Sequence, residues 1–311
     1  MNTISKIKKI YRMAYDPDYR FEVLSDRGFY SNLSDEEFSK RKFKTIFKRD
    51  LDLKNPVTFN EKLQWLKLYN KNNYYTTLVD KFSVRAIIKK ILGDKYLIPL
   101  LGVWENVNDI DFDKLPNQFV LKCTHNSGKG MYICKNKNNI NINKVKKNLQ
   151  SGLKENYYLK SREWPYKNVK PRIIAEQYLE DSSGGLIDYK FFCFNGYVDN
   201  VMVCLDRHIN ETKFYFFNKN WELLRLNVRG KEAPDNFTIP KPDCIDEMFE
   251  IASKLSKNIP FVRIDLYECN GCIYFGEFTF YPQGGYDNNL LPETDLYFGN
   301  LIKLKNEEET L

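Results

Sequence analysis

At 311 residues the chain is long enough for one large domain or two moderate ones, and 42% hydrophobic with 29% charged residues marks it as globular rather than disordered. A formal net charge of +7, from 48 basic against 41 acidic residues, is too mild to favour nucleic acid over an anionic substrate or a membrane surface. No apolar run reaches membrane-spanning length, Met1–Tyr15 lacks the apolar core of a signal peptide, and seven scattered cysteines suit a reducing compartment, so a cytoplasmic protein is expected.

Residues 1 to about 75 read as helical. Ser34-Asp-Glu-Glu37 and Thr58-Phe-Asn-Glu61 carry the Ser/Thr-x-x-Glu spacing in which the first side chain caps a helix and the glutamate reaches back, and each opens an amphipathic run. Leu63, Leu66 and Tyr69 follow the second at helical spacing, flanked by Trp65, and are expected to pack as a helical cap on the rest of the chain. The basic first helix, with Lys6, Lys8, Lys9 and Arg12 among Ile4, Ile7 and Ile10, reads as a surface helix, peripheral contact with an anionic membrane being the alternative. A further helix is expected over Asp80–Leu92, stopped by Gly93, and a short strand over Ile98–Trp104.

Gln118–Thr124 reads as a strand entering the loop His125-Asn-Ser-Gly-Lys-Gly130, with Met131–Cys134 extended after it. This is not the Walker arrangement, which needs a helix after its GK[ST]. It is a hairpin whose N–H groups and Ser127 hydroxyl can fold over phosphates, with Lys122 adding charge at the mouth; a plain turn is the competing reading. Asn143–Asn156 is expected to be a helix with Val145, Leu149 and Leu153 on one face. Tyr157–Tyr166, which brings Arg162, Glu163 and Trp164 together, is either a packed loop or a wall of an acceptor pocket.

Pro171–Tyr178 is a strand leading to Ser182-Ser-Gly-Gly185, and Ile187–Phe194 pairs with Tyr197–Asp206 through a turn at Asn195-Gly196. Asp188, Lys190, Phe192 and Phe194 share a face of the first of these, and Arg207 ends the second. Lys213–Phe217 and Glu222–Leu226 make an edge hairpin, and a helix capped near Asp243 carries Met248, Phe249, Ile251, Ala252 and Leu255. The chain then reaches its most informative stretch, FVRIDLYECNGCIYFGEFTFYPQGG, residues Phe261 to Gly285, two strands closed at Asn270-Gly271.

A two-residue turn would place Asp265 and Glu277 on opposite faces of that ribbon. A three-residue turn with Gly271 as a bulge puts Arg263, Asp265, Glu277 and Thr279 on one face and Val262, Ile264, Leu266, Tyr274 and Phe278 on the other, as a half-buried sheet requires, and is the expected register. Two carboxylates on adjacent strands repel unless a cation lies between them. A solvated surface hairpin is the bland reading; hard oxygen ligands for Mg²⁺, completed by the phosphates of a nucleoside triphosphate, are the sharper one. The Pro282-Gln-Gly-Gly285 loop is expected to bring backbone close to a ligand. Cys269-Asn-Gly-Cys272 has neither a second pair nor a nearby histidine and is read as a turn rather than a zinc or redox site.

The order of these parts resembles the ATP-grasp superfamily from about Asp80 to Gly285. Over nearly the whole chain it is most similar to the TupA-like branch, named from teichuronopeptide biosynthesis, through TFNEKLQWLKLY, REWPYKNVKPRIIAEQYLED, DYKFFCFNG and FVRIDLY. The resemblance implies an α+β ATP-grasp fold, two subdomains clasping ATP, with a helical region at 1–75, a preceding segment at 76–117, a lid subdomain at 118–185 and a metal-bearing subdomain at 186–311. It implies that Lys81, Lys122 and the loop Ser127, Gly128, Lys129 and Gly130 meet the phosphates, and that the backbone at Glu176, Gln177 and Leu179 meets adenine. Asp188 is counted with the nucleotide site on the same basis. Asp265 and Glu277 match the magnesium carboxylates, and Thr279 stands where most relatives have Asn. Arg263 matches an arginine that stabilises a tetrahedral intermediate, and Lys190 and Arg207 match groups that meet the γ-phosphate or the substrate carboxylate. The helical front end is too short for the family's usual α/β substrate domain, so acceptor recognition does not carry over.

The activity so implied is ATP-dependent carboxylate–amine ligation: a carboxylate is activated as an acyl phosphate and an amine displaces the phosphate. The family's setting, surface or capsular polysaccharide biosynthesis, suggests a uronic acid or its nucleotide sugar as carboxylate, an amino acid or amino alcohol as amine, and glycosyltransferases of the same pathway as partners. The reverse polarity fits the same residues. A phosphotransferase that stops at the first step is the alternative, and a non-enzymatic basic module binding RNA or an anionic glycan is a remote one that leaves the shared carboxylate face unexplained. No nucleic-acid partner is therefore expected, and at most peripheral contact with the inner face of the membrane.

Overall fold

The computed structural model describes residues 9, 11–180, 186–205 and 212–304. Its helices, in chain order, are α1 (Pro17–Ser25), α2 (Asp35–Phe47), α3 (Phe59–Tyr69), α4 (Tyr74–Val79), α5 (Val84–Ile91), α6 (Ile142–Leu153), α7 (Tyr158–Ser161), α8 (Val228–Glu232), α9 (Ile245–Leu255) and α10 (Pro292–Leu301). The strands are β1 (Leu100–Trp104), β2 (Phe119–Cys123), β3 (Tyr132–Cys134), β4 (Ile173–Gln177), β5 (Ile187–Phe194), β6 (Tyr197–Leu205), β7 (Lys213–Phe217), β8 (Leu223–Leu224), β9 (Val262–Cys269) and β10 (Cys272–Thr279). They pair antiparallel into a smaller sheet of order β1-β4-β2-β3 and a larger one of order β10-β9-β5-β6-β7-β8, the α+β class that the pattern of elements calls for.

In the smaller sheet, alternation sends Phe119, Leu121 and Cys123 of β2, with Ile173 and Ala175 of β4, onto Val145 and Leu149 of α6. Lys122 and Glu176 therefore emerge on the other face. In the larger sheet Phe191 meets Phe249 of α9 edge to face at 5.1 Å, while its neighbour Phe192 points the opposite way, toward Phe298 of α10 at 5.4 Å and Phe59 of α3 at 6.4 Å. Buried rings of this kind contribute about 1.5–3 kcal/mol each, so α3 belongs to the main core.

Both expected capping boxes form, at Ser34 with Glu37 and at Thr58 with Glu61. The second fixes where α3 begins, and tertiary contacts hold it there. Asn60 donates from its backbone and its side chain to Asp295 of α10, at 2.9 and 2.8 Å, and Lys62 Nζ donates to the Gly299 and Ile302 carbonyls at 2.9 and 2.8 Å. A Cβ on Gly299 would stand 2.2 Å from the Val57 carbonyl, so only glycine lets α10 approach this closely. No helix was expected from the sequence beyond Gly285, and α10 is a finding of the structure.

The ribbon reaches the expected face by another route. Asn270 and Gly271 both have positive φ, 53° and 76°, and Cys269 pairs directly with Cys272, so the turn has two residues and not three. The register then shifts between Phe275 and Glu277, at Gly276, and this bulge inside β10 sets Glu277 opposite Asp265 and Thr279 opposite Arg263. A Cβ at Gly276 would lie 2.8 Å from the Asp265 carbonyl oxygen, which explains the glycine. Nearer the turn the faces are exchanged relative to expectation: Tyr274 lies opposite Tyr267, and Ile273 and Phe275 are the buried residues.

Other differences are local. Helix α5 starts at Val84 rather than Asp80, because the Asp80 carboxylate takes the Phe82 N–H at 3.0 Å and the Ser83 hydroxyl at 2.6 Å in a turn. Cys244 precedes α9 with no side-chain cap. Most of the basic first helix, and Asp181–Gly185, Asp206 and Arg207, lie outside the described residues. Among the described residues no helix is long and apolar enough to cross a membrane.

Candidate functional site

The polar face of the large sheet is built by cross-strand pairing. Lys190 on β5 lies opposite Asp265 on β9, with its ammonium in contact with the carboxylate and 2.6 Å from Asp188 Oδ2. Arg263 donates from Nε to Asp265 Oδ1 and from Nη2 to Oδ2, both at 2.7 Å. Burial opposes charge on Lys190, Arg263 and Asp265, yet their mutual attraction outweighs it: both basic groups are held above their ordinary values and Asp265 below its own.

One strand over, Glu277 is more open. Its Oε1 receives the Thr279 hydroxyl at 3.4 Å and lies 3.9 Å from Arg263 Nη2, and its Oε2 lies 4.0 Å from Lys81 Nζ. Arg263 Nη2 also donates to Thr279 Oγ1 at 3.2 Å. Arg263, Lys190, Asp188, Asp265, Glu277, Thr279 and Lys81 thus form one cluster. Burial lowers the Lys81 ammonium despite Glu277, and the group donates to the Asn126 carbonyl at 2.6 Å.

The smaller sheet faces this cluster with a second group. Lys122 Nζ is 2.5 Å from Glu176 Oε2, and Arg85 Nη1 is 3.0 Å from Oε1. Arg85, which the sequence reading did not single out, anchors the pair by donating to the Ile98 carbonyl at 2.8 Å. Gln177 is the last residue of β4 and its N–H already donates to the Pro99 carbonyl at 3.0 Å, while Leu179 lies past the strand. Within the glycine loop Ser127 faces the cleft, whereas the Lys129 side chain leans toward Glu155 at 3.8 Å. Gly128 and Gly130 have φ of 80° and 74°, and a Cβ on Gly130 would meet Cys123 Sγ at 2.7 Å. The loop glycines serve turn geometry and close packing.

A cavity of about 560 Å³ opens beside Ser127, Arg263, Glu277 and Thr279, while Lys81, Lys122, Glu176, Lys190 and Asp265 lie outside its lining. Ser127, Arg263, Glu277 and Thr279 form one wall, and Tyr157, Glu163 and Tyr166 another. Glu22, Asp26 and Lys42, from α1, its C-terminal cap and α2, complete it, so the helical front end contributes directly to the pocket. Tyr157–Tyr166 is packed and wall-forming at once: Arg162 and Trp164 are buried, while Tyr157, Glu163 and Tyr166 face the cavity. The Pro282–Gly285 loop reaches the cavity at Gln283 and Gly284. Its glycines also pack closely on protein, since a Cβ on Gly284 would meet Ser161 Cβ at 2.6 Å and one on Gly285 would meet Gln64 Nε2 at 2.6 Å.

Lys67 of α3 was also missed. It is 1% exposed and donates to the Ser161 and Gly284 carbonyls at 2.8 and 2.7 Å, tying two pocket walls together, and burial pulls it down to about 7. Its signal was available: it falls one turn after Leu63, on the apolar stripe of an amphipathic helix, where a lysine is out of place.

Among the described residues no group of three or more His, Cys, Asp or Glu side chains could hold a metal ion, and none of the described cysteines, Cys269 and Cys272 among them, is joined in a disulfide. The Glu277 carboxylate and Thr279 hydroxyl at the cavity wall, with Asp265 behind them, are hard oxygens of the kind that suits Mg²⁺ when phosphates and waters supply the remaining ligands.

A sequence profile for the family described as TupA-like ATPgrasp matches residues 61–303. The chain belongs to the TupA-like ATP-grasp family. No curated protein matches it. Among solved structures, this ATP-grasp chain is similar to D-alanine–D-alanine ligase from Bacillus anthracis, at 16% identity and a TM-score of 0.42 over 73% of this chain and 64% of that one. It is similar to the Helicobacter pylori D-alanine–D-alanine ligase at 14% identity and 0.42, over 80% and 70% of the two chains. For D-cycloserine synthetase DcsG the values are 11% and 0.38, over 73% and 70%. The chain thus spans less than two thirds of the Bacillus anthracis ligase, and it is the profile match that assigns the ATP-grasp family.

Proposed function

We propose that this ATP-grasp protein is an ATP-dependent carboxylate–amine ligase. The observation that carries the reading is that Arg263, Glu277 and Thr279, from the polar face of the ribbon, share one cavity with Ser127 of the glycine loop. On this reading an oxyanion-binding guanidinium, hard oxygen ligands and a phosphate-binding loop would border a single volume.

On this reading 118–185 is the lid subdomain and 186–311 the subdomain that carries the metal carboxylates, with 76–117 leading into them from the helical 1–75. Magnesium held by Glu277 and Asp265, with Thr279 beside them, would neutralise phosphate charge when bound. Lys81, Lys122, Lys190 and the Ser127–Gly130 amides orient the γ-phosphate toward the attacking carboxylate, a step that needs positioning and charge more than covalent help. Asp188 holds Lys190 in place, and the Glu176–Leu179 segment borders adenine. Arg263 then faces the oxygen that becomes an oxyanion when the amine adds to the acyl phosphate. Because Arg263 already holds Asp265, it needs little reorganisation to do so.

The substrates proposed are a uronic acid or its nucleotide sugar and an amino acid or amino alcohol, joined during surface polysaccharide synthesis beside the pathway's glycosyltransferases. The test is phosphate release from Mg-ATP by the full chain, with D-glucuronate and D-galacturonate as carboxylates and with and without amines. Amide formation with one phosphate per turnover supports ligation. A phosphorylated product that persists without amine would assign the chain to phosphotransfer instead.

A further inference from the structure

The cavity has a wall that the proposed chemistry has not used. The turn after α7 is set by Arg162, which has φ of 58°, a left-handed conformation uncommon outside glycine and asparagine. The residue after it, Glu163, is held because the side chains on either side of it are anchored in different directions. The Arg162 guanidinium, 2% exposed, donates to the Tyr30 carbonyl at 2.5 Å and lies 3.7 Å from Asp35 Oδ1, while Trp164 Nε1 donates to the Tyr281 hydroxyl at 3.2 Å. Glu163, between them, is 3% exposed, faces the cavity and accepts the Ser161 hydroxyl at 2.7 Å. A carboxylate fixed from both sides at the inner wall of a ligand-sized cavity calls for an explanation.

We propose that Glu163 receives the amine substrate: it binds the incoming ammonium and takes the proton that must leave before nitrogen can attack. The charges in the cavity wall point the same way. Its basic groups are engaged elsewhere, Lys42 on Asp26 at 3.4 Å and on the Lys160 carbonyl at 2.8 Å, Lys160 on Glu155 at 2.7 Å and Arg263 on Asp265, and among the described residues none of them makes an ion pair with Glu163, so the ligand matched to that carboxylate is a cation. Glu163 and Arg263 line the same cavity, so an amine held by Glu163 shares one volume with the acyl phosphate that Arg263 faces.

The step balances. An ammonium gives one proton to the Glu163 carboxylate; the freed lone pair forms the C–N bond as the carbonyl π pair moves onto the oxygen that Arg263 faces; collapse of that oxyanion breaks the bond from carbon to the phosphate oxygen, and the second nitrogen proton leaves on hydrogen phosphate. Burial raises the Glu163 carboxyl above its ordinary range, which makes its carboxylate the stronger base. The groups that face it are Lys67 from α3, Lys42 from α2 and the Tyr157 hydroxyl, with Tyr166, Tyr281 and Tyr286 further off. Lys67 and Lys42 oppose the shift without cancelling it.

This assignment rests on the ligase reading, and its test separates the two. Ethanolamine, glycine and L-alanine are titrated against the full chain by saturation-transfer NMR, with Mg-ADP titrated in parallel. At least one amine binds the wild type, E163Q weakens it by about tenfold or more, as expected for a lost charged hydrogen bond, and E163D recovers part of the loss. Binding to the wild type also weakens as pH falls and Glu163 protonates, whereas E163Q shows no such dependence. Unchanged Mg-ADP affinity in E163Q reports an intact fold. Failure of all these amines to bind the wild type, or equal binding by E163Q, overturns the assignment of Glu163 even if Mg-ADP binds. Failure of Mg-ADP alone overturns the ligase reading and leaves the amine site standing.

Discussion

Arg263 grips both carboxylate oxygens of Asp265 at 2.7 Å from two residues away on the same strand, so the acid deepest in the site has its charge matched by the protein's own guanidinium. Arg263→Ala leaves that carboxylate, 1% exposed, to Lys190 alone. Breaking one side of a buried pair costs about 3–5 kcal/mol, and retention of Lys190 argues for the lower end. Turnover should be lost while Mg-ADP binding persists. Urea denaturation and phosphate release are the measurements, and a variant altered only in ATP affinity would remove the oxyanion role. Arg263→Lys should not restore activity, because an ammonium cannot reproduce the two-point contact.

Glu277 presents the opposite case. Its side chain is about a third exposed and its contacts are long, so Glu277→Gln should change stability by less than about 1 kcal/mol. ATP consumption should nevertheless fall to background. A variant that folds normally and turns over at the wild-type rate would take Glu277 out of the metal site.

Gly276→Ala tests the bulge. The added Cβ would come 2.8 Å from the Asp265 carbonyl oxygen, a backbone atom that cannot swing away. Overpacking of this kind costs about 1–3 kcal/mol, and relieving it shifts Glu277 relative to Asp265, so activity should fall further than stability does. A lowered melting temperature with unimpaired turnover would show that the register of β10 does not matter to the chemistry.

Lys67 gives a pH signature with a definite sign. Its pKa falls from 10.5 to about 7 in the folded protein, so between those values the unfolded chain binds the extra proton. The stability associated with the neutral amine is present above the unfolded value and is lost as pH falls through the folded one. The stability of wild type relative to Lys67→Met should therefore rise from pH 7 toward 10.5, at a slope of at most about 1.4 kcal/mol per pH unit. Urea denaturation of both proteins across that window measures it. A flat difference would mean that Lys67 stays protonated.

Much of this was legible because local chemistry and tertiary packing agree. The Ser34 and Thr58 caps, the Asn195-Gly196 turn and the alternation that buries Phe119 and Leu121 depend on neighbours in sequence, and all recur in the structure. The shared face of Asp265 and Glu277 was reached from the correct premise, one polar and one apolar side, but through the wrong turn. A glycine within a strand is itself a bulge signal, and Gly276 was passed over in favour of Gly271. What could not be read were contacts between distant segments: Arg85 with Glu176, the seat of α10 beside Val57, and the helical wall of the cavity. Nothing in the spacing of these residues announces their partners.

The lodging of α3 against Gly284, Gly285 and Gly299 has a consequence for assembly. Its lysines and its Gln64 amide close backbone carbonyls that belong to the last fifty residues of the described chain, so the ribbon's exit loop cannot settle on its final path without α3 in place. A chain emerging from the ribosome must hold α3 in waiting until the ribbon, its exit loop and α10 have followed it. Removing α3 would leave the glycine-rich exit unsupported rather than release a smaller intact fold.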